Sequence, residues 1–165
     1  MTEGERRLRP PSNRLNEKAV TWWRAQWLLL TLVPVAVLAV LGALIAPART
    51  WLLVPAASLA VLGLACTAVM PLVWFRIHRW EVTDEAVYTR TGYFWQEWRI
   101  APMSRIQTVD TVRGPLEQVF KLSTVVVTTA SSKGAIRIEG LGHELAAELA
   151  ERLTHITQAT PGDAT

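Results

Sequence analysis

The chain has 165 residues, half of them apolar, with a formal charge of +3 and one cysteine, Cys66. A lone thiol excludes an internal disulfide, and no Cys/His cluster has metal-ligand spacing. The charge sits mainly in residues 1–24; from Arg76 onward ten basic residues face eleven acidic ones, which argues against a nucleic-acid partner.

The first 24 residues carry Arg6, Arg7, Arg9, Arg14, Lys18 and Arg24 against three glutamates, a basic segment expected to lie on the cytoplasmic side. Ala25–Ala48 then gives 24 residues without a charge. As a helix it is roughly 36 Å long, enough for a hydrocarbon core of about 30 Å. After Arg49, Thr50–Phe75 adds 26 more uncharged residues. Because lipid offers the backbone no water, both runs (25–48 and 50–75) are expected to be helical throughout, with Pro34, Pro55 and Pro71 bending rather than ending them. Small residues four apart, Ala39 with Ala43 and Gly42 with Ala46, offer faces for close approach. Ala46-Pro47-Ala48 loosely matches a signal-peptide cleavage site, but the run before it exceeds the usual h-region and a second run follows at once.

The short turn at Pro47-Ala48-Arg49 makes the two runs a transmembrane hairpin. Basic residues gather before the first helix and after the second (Arg76, Arg79), with only Arg49 in the turn. The positive-inside rule then puts both termini in the cytoplasm of a cell-membrane protein. Trp22, Trp23, Trp27, Trp74 and Trp80 read as an aromatic belt on that face, and Trp51 marks the opposite interface. Arg14, Lys18, Trp22, Trp23, Arg24, Arg76 and Arg79 are the candidate membrane-surface residues, held to anionic headgroups by charge.

From Arg76 the period changes. Strands are expected near Phe75–Val82, Ala86–Thr91, Trp95–Ala101, Ile106–Val112, Thr124–Thr129 and Ala135–Glu139, with turns at Thr83-Asp84-Glu85, Gly92-Tyr93 and Ser131–Gly134. Gly114-Pro115 ends the fourth strand, and one or two helical turns follow to Leu122, with Leu116, Val119 and Phe120 inward. Leu145, Leu149, Leu153 and Ile156 recur on one side of an amphipathic helix over about His143–Thr157. Residues 76–158 are thus one α+β domain, and 159–165 a frayed tail.

Trp80-Glu81-Val82-Thr83-Asp84-Glu85-Ala86-Val87-Tyr88, Arg90-Thr91-Gly92, Ser104-Arg105-Ile106-Gln107-Thr108-Val109-Asp110, Gly114-Pro115-Leu116-Glu117 and Leu122-Ser123-Thr124-Val125 resemble the bacterial pleckstrin-homology-like (PH-like) domain of YdbS-type two-span membrane proteins. Lys121, where a glycine is usual, departs from the pattern, and the Ser131–Gly134 loop is short. The resemblance implies a PH-like split β-barrel of about six or seven strands capped by the C-terminal helix. It transfers no catalytic residue or cofactor, and it suggests a partner that is a relative with further copies of the domain.

No residue set points to catalysis. His143 and His155 stand about 18 Å apart along one helix, too far to share a metal. Ser104, Ser123 and Ser131 lack a nucleophile-elbow context, and no glycine-rich phosphate loop follows a strand. The acidic turn Thr83-Asp84-Glu85 would repel a phosphate where eukaryotic relatives in fold read phosphoinositides. What remains is contact with protein or lipid. Tyr93, Phe94 and Trp95 at a hairpin tip cannot all enter one core when side chains alternate, and Arg113 and Leu116 mark a second exposed loop. The expected function is a non-catalytic, membrane-anchored module that recruits a membrane-protein partner or a second copy. The alternatives are a lipid-sensing or lipid-holding role in envelope homeostasis and, third, an unrecognised membrane enzyme.

Overall fold

A computed structural model describes residues 11–92, 95–130 and 134–159. The chain divides into two compact units, Val20–Val73 and the residues on either side of that segment. Tyr93, Phe94 and most of the Ser131–Gly134 turn lie outside the described residues, as does the tail beyond 159.

The first long helix, α1 (Lys18–Leu44), starts seven residues earlier than the uncharged run and ends four residues sooner. A 3-10 turn at Ala46–Ala48 leads into α2 (Arg49–Ile77). Pro34 lies inside α1, and Pro55 and Pro71 inside α2, none ending its helix. Polar side chains along these helices turn back on their own backbone. Thr31 donates to the Trp27 carbonyl at 2.8 Å, Ser58 to Val54 at 3.0 Å and Thr67 to Gly63 at 2.8 Å. A hydroxyl bonded this way costs little in lipid.

The seam of this unit is made by small side chains. Ala56, Gly63, Thr67 and Pro71 are the buried residues of α2, and Gly42 and Thr31 are buried on α1. Of the expected small pairs only Gly42 sits in the seam, with Leu53 within 3.0 Å of where its Cβ would be. The tightest approach is Gly63 to the side chain of Thr31, which leaves no room for a Cβ. Leu30, Leu44 and Val61 are 69–75% exposed on the outer faces. A helix of a soluble core would bury these side chains; one facing lipid need not.

The other unit is built from two antiparallel sheets and a helix. The first sheet runs β1 (Asn13–Arg14), β2 (Arg79–Val82), β3 (Ala86–Thr91), β4 (Glu97–Pro102) in that order. The second runs β5 (Ile106–Val112), β6 (Leu122–Thr129), β7 (Ile136–Gly142), with α3 (Pro115–Phe120) between β5 and β6. The closing helix α4 spans His143–Ala159. This four-plus-three arrangement with a C-terminal helix is the PH-like split barrel. Val87, Leu122, Val125, Val127, Leu141 and Leu153 form its centre, each without significant exposure.

Several boundaries differ from the sequence reading for physical reasons. The expected strand at Phe75–Val82 begins only at Arg79, because no glycine or proline stops α2 before Ile77, and the His78 ring nitrogen Nδ1 meets the Trp74 carbonyl at 2.9 Å. The segment before the first helix carries β1, which pairs Asn13 with Trp80 and Arg14 with Arg79. Trp80 is therefore not in an interfacial belt: it is 6% exposed and its indole N–H donates to the Arg14 carbonyl at 3.2 Å. On α4, Ala146, Leu149 and Leu153 are buried while Leu145, at the helix start, is 44% exposed.

Residues 15–19 lock onto β7. The Asn16 amide donates to the Gly140 carbonyl at 3.0 Å, and its side chain accepts the Lys18 N–H at 3.0 Å, opening α1. Gly140 has φ +68° beside a register shift, and a Cβ there would stand 2.9 Å from that of Ala19. Only glycine meets both demands.

Candidate functional site

Three surfaces of the folded unit carry the residues singled out in the sequence. The first is the β3–β4 turn. Gly92, at φ +92°, turns the chain so tightly that a Cβ would strike the Trp95 carbonyl. Trp95 itself is 85% exposed at the tip. Tyr93 and Phe94 lie outside the described residues.

The second is the corner between β5 and β6. Arg113 is half-buried, its Nε donating to the Leu122 carbonyl at 3.1 Å. Leu116 is half-buried too, but Val119, expected inward, is 73% exposed. The inward residue is Glu117, whose carboxylate accepts the Gly114 N–H at 2.6 Å and the Thr124 hydroxyl at 2.7 Å. This reach back to the start of α3, with Pro115 in the first turn, fixes the direction of the helix. The helix ends at Lys121, the only non-glycine with positive φ (+56°) among the described residues. That is the place where the resemblance expects glycine, and the left-handed conformation explains the preference.

Beside this corner lies a cleft of about 610 Å³ lined by Asn16, Lys18, Arg113, Lys121, His143 and Glu144, among others. His143 Nδ1 stands 3.2 Å from the Oγ of Ser123, which is fully buried. Among the described residues no carboxylate orients this histidine, so the pair lacks the third member of a nucleophilic triad. Nor does any group of three His, Cys, Asp or Glu among the described residues stand together as a metal site.

The third surface is the outer face of the first sheet. The register sets Arg14 opposite Arg79 and Arg79 opposite Arg90. Arg90 in turn lies opposite Trp98, its guanidinium 5.3 Å from the ring centroid. Two of these, Arg14 and Arg79, are expected surface residues; Trp98 is expected on an exposed aromatic face with Tyr93, Phe94 and Trp95, and Arg90 is new. Nothing in the sequence singles out Arg90, because only the pairing of neighbouring strands brings it into one row with Arg79 and Trp98. Loss of solvent holds the Arg79 pKa below the ordinary arginine value, and the neighbouring Arg14 and Arg90 charges add to this. The acidic β2–β3 turn lies at the other end of these strands, with Asp84 held by Arg152 at 3.1 Å.

Of the remaining candidates, Lys18, Arg24 and Arg76 are exposed. Trp22 and Trp23 stack with ring centroids 6.0 Å apart.

The family model of the bacterial PH domain matches residues 28–157. The transmembrane protein YdbS of Bacillus subtilis (strain 168) is 26% identical over 156 residues, which cover 93% of this chain and 97% of that protein. No solved structure matches the chain. Two helices long and apolar enough to cross a bilayer, together with a transmembrane relative of matching length, make this a membrane protein. With both sheets and the capping helix in place, the chain belongs to the bacterial PH domain family.

Proposed function

We propose that the protein is a membrane-anchored, non-catalytic module whose PH-like domain faces the cytoplasm and recruits a membrane-protein partner. The observation that carries this reading is Trp95, a large aromatic 85% exposed at a hairpin tip and preceded in sequence by Tyr93 and Phe94. Exposed aromatics of this size are typical anchors at protein interfaces. A second feature supports it. Among the described residues β5 pairs only with β6, and Gln107, Thr108, Asp110, Thr111 and Val112 along it are exposed, leaving a seven-residue edge to which a partner strand can add. The partner is a relative with further PH-like domains or a second copy of this chain.

A photo-crosslinking amino acid at position 95, activated in native membranes, tests the reading. One discrete protein adduct is expected, lost when the crosslinker is moved to the exposed position 158 on α4. Adducts to lipid alone, or none, would rule it out. A lipid-holding role in envelope homeostasis is the second reading, favoured by the arginine row on the first sheet.

A further inference from the structure

The row Arg14–Arg79–Arg90 is costly to fold. Residues directly opposite on antiparallel strands share a face, and Trp80, next to Arg79, points the other way into the core. Strands lie about 4.8 Å apart, so the three arginine stems fall within about 10 Å of one another. Like charges in this position destabilise a sheet. Among the described residues none of the three is in an ion pair, the two pairs there being Arg99–Glu97 and Arg152–Asp84. Glu81 shares the face one register step away, and its Oε2 accepts the Ser12 N–H at 3.0 Å. Arg90 gives one N–H to Gln96 at 3.0 Å, but its Nε is buried with no acceptor. The repulsion would be relieved by one bound anion.

We propose that Arg14, Arg79 and Arg90 form a binding site for the phosphate of an anionic lipid headgroup. A phosphate offers several acceptor oxygens in the geometry that guanidinium forks match. Lipid is the source because of where the row begins. Arg14 stands four residues before the first residue of α1, and Arg79 two after the last of α2. At about 3.5 Å per residue Arg79, four residues past Phe75 at the end of the second uncharged run, stays within about 14 Å of the hydrocarbon edge, Arg14 is paired beside it, and headgroups extend several ångströms beyond the hydrocarbon core. Trp98 closes the row with the kind of aromatic that favours the interface. The site lies on the outer face of the sheet, at the open end of the β2–β3 hairpin. It goes beyond the recruiting role and needs no protein partner.

The test titrates full-length protein in an uncharged detergent with dioctanoyl phosphatidylglycerol, dioctanoyl phosphatidylcholine and inorganic phosphate, followed by calorimetry. The glycerol lipid is expected to bind saturably and the choline lipid not. Arg79→Gln and Arg90→Gln should each weaken binding about fivefold or more. Arg137→Gln, an exposed arginine on β7, should leave it unchanged. Without lipid, Arg79→Gln should melt no lower than the parent, since it removes repulsion, and should lose the rise in Tm that the glycerol lipid gives. Parent-like lipid binding by both row variants would overturn the site. Equal affinity for inorganic phosphate would overturn the lipid assignment. If Arg79→Gln fails to fold, Arg14→Gln at the exposed end of the row decides, and undiminished binding there would also sink the proposal.

Discussion

Glu117 shows how a single side chain can shape a corner of the fold. It is 6% exposed, and both of its oxygens are engaged, by the Gly114 amide and the Thr124 hydroxyl. Glu117→Ala strands two donors, and each buried donor left without a partner costs about 1–3 kcal/mol. The expected loss is about 2–3 kcal/mol, seen as a lower midpoint in thermal or denaturant unfolding of the purified protein; Thr124→Val should cost less, because it leaves the Gly114 bond intact. A Glu117→Ala variant as stable as its parent would remove the carboxylate from this role. The corner was only half legible in the sequence. Apolar periodicity pointed Val119 inward, yet a helix of six residues takes its direction from one hydrogen bond to its own start, which leaves no periodic trace. Arg90 was illegible for a related reason. Its neighbours Arg79 and Trp98 are distant in sequence or on another strand, and only the register puts the three in one row.

At the scale of elements, the pattern was clearest where local chemistry decides. β3 and β5 fall where alternation and turn residues put them, at Ala86–Thr91 and Ile106–Val112. β1 escaped because a two-residue strand has no period and its partner strand does not begin until Arg79. The apolar runs announced two helices but not the seam between them. Among several small residues, the sequence could not single out Gly63 as the one facing Thr31. Lipid gives helices no hydrophobic reason to associate, so close packing must hold the hairpin together. Gly63→Ala should therefore overpack the seam and cost about 1–3 kcal/mol in unfolding of the full-length protein by sodium dodecyl sulfate. Ala57→Val, on the exposed side of α2, should cost almost nothing. Thr31→Ala should rescue Gly63→Ala in part by removing the opposing methyl and hydroxyl, the remaining Cβ at 2.8 Å still requiring a small shift. Failure of that rescue would mean the close approach is not what stabilises the hairpin.

For the whole molecule, two independent arguments bear on how the chain crosses the bilayer. Asn13 and Arg14 pair with Trp80 and Arg79, so the residues just before the first helix and just after the second must lie on the same side of the membrane. The number of crossings is then even, and two helices of sufficient length supply it. Which side this is depends on charge alone: Lys18 and Arg24 flank one end, Arg76 and Arg79 the other, and only Arg49 lies in the turn. The two arguments can be separated in right-side-out membrane vesicles. In a Cys66→Ser background, Ala48→Cys should react with a membrane-impermeant maleimide in sealed vesicles, whereas Ser12→Cys and Gln158→Cys should react only after permeabilisation. If all three accessibilities invert together, the charge argument fails and the hairpin stands. If positions 12 and 158 report opposite sides, the β1–β2 pairing cannot exist in the membrane, and the arginine row that depends on it would dissolve as well.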